Sequence, residues 1–258
     1  MFRKSKVLAK IRSGGVARIC CTGNKLPAFP QMAAHFGYDG VWLDAEHRAW
    51  DPREAEMMLA QHRAADVDCI WRAATLEKTG LARLLEDGAS GLMIPHVSTP
   101  EKARMIVEHA KFPPLGDRGL DGAGIDSNYL VGTPPTYIED ANRETYVVAQ
   151  IETPLALQNL DAIVGTEGID IFMVGPGDLS LRLGCAPSIK EPKLRAAVEQ
   201  VAAACKVHGK AWGLPTGNIA DAGTLMEMGA QFIVLGNDFI GVMRHLEQCS
   251  KELDTLFT

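Results

Sequence analysis

Residues 171–178 read Ile-Phe-Met-Val-Gly-Pro-Gly-Asp: four apolar residues, a break, then an acid. The same pattern recurs at 147–152 (Val-Val-Ala-Gln-Ile-Glu) and at 41–47 (Val-Trp-Leu-Asp-Ala-Glu-His). Apolar runs of this length, flanked by Gly, fit strands buried on both faces of a parallel sheet. A carboxylate at the end of such a strand is costly unless a cation or a donor meets it. Three such ends from distant parts of the chain predict one shared site centred on a metal ion.

Working outward from these runs, strand patterns fall at 15–20, 39–44, 67–73, 91–95, 146–151, 169–174, 211–214 and 231–235, and helical patterns lie between them. The helical segments are 52–64, 76–87, 99–110, 154–164, 190–208, 218–228 and 238–253. Asp51-Pro52 and Thr99-Pro100-Glu101 are helix starts, with a capping side chain followed by Pro at the first helical position. Eight strands alternating with helices predict one (β/α)8 TIM barrel over residues 1–258. The rival is a doubly wound open sheet, but the first strand is followed by Cys-Thr-Gly-Asn rather than a glycine-rich fingerprint. A barrel opens all strand C-termini on one face, which would gather Asp44, Glu46, His47, Arg72, Glu152 and Asp178 around one mouth. Segment 112–145, rich in Gly, Pro and Asp, interrupts the alternation, and a long irregular connection is more often functional than idle.

Composition narrows the class. The chain has 258 residues, 47% of them hydrophobic, and a net charge of −6. That charge argues against nucleic acid or an anionic membrane surface as partner, and no apolar stretch is long enough to span a bilayer. The start, MFRKSKVLAKIRSGG, lacks the uninterrupted apolar centre of a signal peptide and reads as an amphipathic helix with Val7, Leu8 and Ile11 on one face. Six cysteines without CxxC spacing read as reduced thiols of a cytoplasmic protein; a catalytic thiol at Cys20 or Cys21 is the minor reading.

Glu152 and Asp178 form the candidate ligand pair. Oxygen donors with open positions for water or substrate suit Mg²⁺ or Mn²⁺, although each acid alone could equally cap the helix that follows it. His47 is the candidate general base, with Asp44 placed to orient its ring; the competing reading is a histidine of a surface loop. Arg72, a charge inside Ile-Trp-Arg-Ala-Ala, can brace an anionic oxygen through its fork of donors, or can pair with Glu46. His96 also ends a strand, where a structural hydrogen bond is an equal explanation. Gly175 to Ser180 brings bare backbone to a helix start, where Gly177 could meet a small anion. Leu214 could line the remaining wall. No lysine ends an apolar strand, so an imine-forming aldolase is disfavoured and a metal is the expected electron sink.

In order along the chain come D-x-E-H (44–47), the strand Arg72, G-A-x-x-L-M-I-P-x-V (88–97), P-P-x-G-x-R-G (113–119), Q-I-E-T (150–153) and G-P-x-D-L-S (175–180). Together they resemble the HpcH/HpaI family of metal-dependent (class II) 2-oxo-acid aldolases, and the similarity runs from about residue 5 to 245. The resemblance implies a barrel of the phosphoenolpyruvate/pyruvate type with an N-terminal helix and an exchanged C-terminal helix, assembled as a hexamer that is a trimer of dimers. It implies one divalent ion (Mg²⁺, Mn²⁺ or Co²⁺) on Glu152 and Asp178, His47 as base with Asp44 beside it, and 2-oxo-acid binding by Arg72. Gln150, Gly177, Asp178 and Leu214 match further substrate positions. The activity implied is reversible cleavage of a 4-hydroxy-2-oxo acid to pyruvate and an aldehyde. Alternatives are a related lyase or decarboxylase acting on another 2-oxo acid or acyl-CoA, and a non-catalytic oxo-acid-binding protein. One departure stands out: after Arg118-Gly119 the chain carries Asp121 and Asp126 where relatives are basic, which counts against an acidic aldehyde.

Overall fold

The computed structural model describes residues 2–257. All eight strands form: β1 (Ala17–Thr22), β2 (Gly40–Asp44), β3 (Asp68–Arg72), β4 (Gly91–Ile94), β5 (Tyr146–Ile151), β6 (Ile171–Val174), β7 (Ala211–Pro215) and β8 (Phe232–Asn237). Each pairs in parallel with the next, and β8 returns to β1 to close the barrel. The helices are α1 (Lys6–Arg12), α2 (Phe29–His35), α3 (Pro52–Ala64), α4 (Lys78–Glu86), α5 (Pro100–Ala110), α6 (Tyr137–Glu144), α7 (Pro154–Gln158), α8 (Leu160–Val164), α9 (Pro176–Leu183), α10 (Pro192–His208), α11 (Ile219–Glu227) and α12 (Asp238–Asp254).

Period-two alternation sorts the strand residues into two cores. Leu43, Trp71, Leu92, Val147, Phe172 and Ile233 point outward, into the layer shared with the helices. Trp42, Ile70, Met93, Val148, Met173 and Phe232 point inward and fill the barrel. Burying each such side chain stabilises the fold by about 1.5–3 kcal/mol. The inward series continues toward the strand C-termini as Asp44 after Trp42, Arg72 after Ile70, and Gln150 then Glu152 after Val148. The register that packs the barrel therefore also aims the polar groups into its mouth.

The opposite rim is closed by α1. Its Val7 and Leu8 are buried against the barrel interior, and Gly40 leaves room for Val7, whose Cγ2 lies 2.9 Å from where a Cβ would stand. Ser5 caps α1 and donates to Asp68 at 2.5 Å, while the same carboxylate accepts from Arg3 at 2.7 Å and from the Val7 N–H at 3.1 Å.

Three expectations change. The helix expected over 154–164 is two short helices that meet at Asn159, whose side chain donates to the Ser98 carbonyl at 2.9 Å. The irregular segment 112–145 contains α6, anchored by buried Tyr137 and Ala141. That segment packs against the far ends of α4 and α5: the Asp126 N–H donates to the Glu86 carbonyl at 3.2 Å, and Gly116 approaches the carbonyls of Val107 and Lys111. Helix C-termini lie at the strand N-terminal rim of such a barrel, so 112–145 lies away from the mouth of its own chain. Its Asp126 is held by Arg118 and by the Tyr137 hydroxyl, at 2.9 and 2.6 Å.

Candidate active site

The mouth is built around Arg72. Its Nε and Nη2 meet the two oxygens of Asp44 at 3.0 and 2.8 Å, and its Nη1 meets Glu46 at 2.9 Å. The guanidinium rests over the Trp42 ring, 4.6 Å from the centroid. Three of its five N–H groups are thus taken by protein, and the rest are left for a ligand. Burial works against the Asp44 carboxylate, yet the Arg72 hydrogen bonds and charge, with the N–H groups of His47 and Glu46, hold its pKa below the usual carboxylate range.

Asp44 does not orient the His47 ring as expected. Its Oδ1 accepts the backbone N–H of Glu46 at 3.0 Å and of His47 at 3.2 Å, so it shapes the turn that carries the histidine. The physical reason is competition: the adjacent guanidinium occupies both carboxylate oxygens. The His47 ring is exposed at the rim, with Nε2 3.7 Å from Glu46. Trp50 ties the same loop down by donating to the Asp44 carbonyl at 2.7 Å.

Glu152, 3% exposed, sits deepest. Its Oε1 accepts the His96 N–H at 2.6 Å and lies 3.2 Å from His96 Nδ1; its Oε2 accepts from Gln150 at 3.3 Å. A Cβ on Gly175 would stand 2.2 Å from Oε2, so only glycine at the end of β6 lets this carboxylate lie there. Burial pushes the Glu152 carboxyl pKa up, and the charges of Glu46 and Asp178 add to the push, against the His96 N–H and ring. Asp178 lies in the first turn of α9 and pairs with Arg182 one turn on, at 2.5 Å. Gly177 is exposed in that same turn, which no side chain caps.

Among the described residues, no group of three or more His, Cys, Asp and Glu is arranged to hold a metal ion. Two carboxylates and oxygen from other sources are what this mouth can offer. The Gln150 side-chain oxygen is buried with no hydrogen-bond partner, and leaving such an acceptor unmet costs about 1–3 kcal/mol. An unmet amide oxygen beside mutually repelling acids fits a hard, oxygen-seeking cation.

One expectation is corrected here, and one minor reading loses support. Leu214 points outward into the strand–helix layer, because Gly213 before it takes the inward position of β7, so its side chain does not line the mouth. Cys21 faces the mouth, but burial first, then the Asp44 charge, pushes its thiol up to about 12, which counts against a nucleophile at neutral pH. His96 was underrated by sequence reasoning. Its φ of 53° is unusual for a residue with a side chain, and it bridges Glu152 and Glu46, the latter at 3.5 Å from Nε2. Its place after a strand was the available signal.

Fold and mouth together define a (β/α)8 barrel with an acid-rich, arginine-braced site at the strand C-termini. Residues 22–244 match the HpcH/HpaI aldolase/citrate lyase family, and the chain belongs to that family. It is 31% identical to the 5-keto-4-deoxy-D-glucarate aldolase of Klebsiella pneumoniae over 229 residues, 89% of this chain and 88% of that one. The solved structure of an HpcH/HpaI aldolase from Desulfitobacterium hafniense superposes with a TM-score of 0.89 at 29% identity, covering 95% of both chains. An HpcH/HpaI aldolase/citrate lyase family protein from Burkholderia cenocepacia gives 0.88 at 28% identity, covering 97% of this chain and 99% of that one.

Proposed function

We propose that this protein is a divalent-metal-dependent aldolase that reversibly cleaves a 4-hydroxy-2-oxo acid to pyruvate and an aldehyde. The observation that carries the reading is the buried Glu152 carboxylate, crowded by Glu46 and Asp178 and bonded to a glutamine whose amide oxygen is itself unmet, beside an arginine with N–H groups to spare. Glu152 and Asp178 would hold the Mg²⁺, Mn²⁺ or Co²⁺, which supplies Lewis-acid polarisation of the 2-oxo group.

The chain's own residues account for the proton and charge movements. In the cleavage direction His47 takes the C4 hydroxyl proton as the C3–C4 bond breaks and the aldehyde leaves. The electron pair moves onto C3 and the 2-oxo oxygen, where a free Arg72 N–H meets the developing negative charge. Losing such a donor costs about 2.7–4 kcal/mol in comparable sites. His47 then returns the proton to C3, which yields pyruvate. Glu46 and Asp44 keep the guanidinium from turning, and the uncapped first turn of α9 at Gly177 offers backbone N–H to the substrate carboxylate. The likeness to the Klebsiella enzyme favours a sugar-acid-derived oxo acid. Because 112–145 lies on the other rim, its acidity bears on the aldehyde only where another copy brings it to the mouth.

We also propose that a second copy of the chain covers α12, in line with a hexamer built from three exchanged-helix dimers. No residue of α12 is buried, and Phe239, Val242, Met243, Leu246 and Leu253 recur at helical spacing along it. A cytoplasmic location fits the six free cysteines; among the described residues no helix is long and apolar enough to cross a membrane.

The test is exchange of deuterium into the pyruvate methyl group, followed by NMR, with and without Mn²⁺. Metal-dependent exchange that disappears in His47→Ala is expected. No exchange with metal present would sink the reading.

A further inference from the structure

The turn that delivers the His96 N–H to Glu152 is held from two sides. On the β5 side, the Val97 N–H donates to the Gln150 carbonyl at 3.1 Å, and the Ser98 and Thr153 hydroxyls meet at 2.7 Å. On the other side stands Lys102, in the first turn of α5. Its Nζ donates to the Pro95 carbonyl at 2.8 Å and to the His96 carbonyl at 3.0 Å. These two carbonyls flank a residue whose backbone is left-handed, a conformation that costs about 1–3 kcal/mol for a side-chain-bearing residue unless its surroundings enforce it. Lys102 is half-buried, and burial lowers its pKa while the charges of Glu152 and Glu46 raise it, so the ammonium lies within electrostatic reach of both acids.

We propose that Lys102 is a positioning residue of the ion site. By gripping the Pro95 and His96 carbonyls it keeps the His96 N–H on Oε1 of Glu152, and leaves Oε2 turned toward Gly175 and the strand that leads to Asp178. The orientation of Oε2 is visible in its closeness to the Gly175 backbone. Outer partners that orient a ligand are typically worth about 10–100-fold in metal affinity. A plain field effect has the opposite sign: removing a positive charge beside a cation site tightens cation binding.

The inference rests on the metal reading above and is tested by Mn²⁺ titration of the full chain, using calorimetry with no substrate present. Glu152→Ala is the control: if it binds Mn²⁺ like the wild type, the metal reading itself fails and takes this inference with it. With that control passed, Lys102→Met is expected to bind Mn²⁺ at least about tenfold more weakly than wild type. Unchanged or tighter binding overturns the positioning role and leaves the metal reading intact. Lys102→Gln takes the place of the Met variant if circular dichroism shows the latter unfolded. A second arm places Lys102→Met in a His96→Gly background, where glycine adopts the left-handed turn without strain. The loss caused by Lys102→Met is expected to shrink there; an undiminished loss also overturns the proposal.

Discussion

The two rims of this barrel both bury charge, and they treat it differently. At the closed rim, Asp68 is met by Arg3, by the Ser5 hydroxyl and by N–H groups of α1. Nearby, Glu144 is met by Arg12, Arg143 and the Ser5 N–H. Each buried acid there has a base, and the network pins the N-terminal segment to the barrel. At the open rim, Asp44, Glu46, Glu152 and Asp178 share a neighbourhood with Arg72 and half-buried Lys102, Arg182 pairs with Asp178, and burial, with the added charges of Glu46 and Asp178, raises the Glu152 pKa. Matched charge builds structure. Unmatched charge, kept in place by a folded barrel, is what a cation or a reacting ligand can use.

The comparison can be broken first at Glu152. Glu152→Ala is expected to lower metal-dependent pyruvate exchange about 10³-fold or more, the size of a lost Lewis acid worth several kcal/mol. Its thermal midpoint should change little, because relief of repulsion offsets the hydrogen bonds lost from the His96 N–H and the Gln150 amide. A large loss of stability with activity retained would place Glu152 among the structural charges instead.

Asp68→Ala is the mirror experiment. It strands the buried Ser5 hydroxyl and the α1 N–H groups, while half-buried Arg3 keeps Asp66, and about 1–3 kcal/mol of stability should disappear from urea unfolding. The rate per folded molecule should stay near that of the wild type.

The third effect is pH-dependent and belongs to α3. His62 is fully buried with Nδ1 2.7 Å from the Met58 carbonyl, and burial lowers its pKa from 6.5 to about 4. The native state holds the neutral ring while the unfolded chain takes up a proton below pH 6.5. Stability is therefore complete above pH 6.5 and is lost as pH falls toward 4, by about 3 kcal/mol at most. Urea midpoints measured across that window should show the slope, and His62→Gln should flatten it.

The smallest effect concerns the cradle. Gly175→Ala puts a methyl group on Oε2 of Glu152 and should weaken Mn²⁺ binding about tenfold with little change in folding, the scale of a displaced ligand. Wild-type affinity would mean that this oxygen is free to move.

Much of the barrel was legible because strand burial writes itself as apolar runs, and all eight runs became strands within a few residues of their expected limits. Helices α2 and α6 were not read: α2 is short and opens at Phe29-Pro30, and α6 hides behind Pro134-Pro135 in a stretch whose polarity resembles a loop. At the mouth, Glu152, Arg72 and Asp44 were legible as charges in apolar company. Partner choice was not. Asp44 sits in the sequence beside His47, yet its carboxylate belongs to Arg72, 28 residues away, because strand register brings Asp44 and Arg72 side by side. Lys102 carries no signal in the sequence, since its role depends on two carbonyls six and seven residues earlier, in the turn that precedes α5.

The sequence alone determined the barrel, the strands that end in acid, and the family, because periodicity and residue type are local and survive without coordinates. Only the tertiary structure decided that Leu214 faces away, that His96 bridges two acids, and that segment 112–145 lies on the far rim. Those outcomes depend on which groups converge in space and how their charges are shared, and neither is a property of any single stretch of chain.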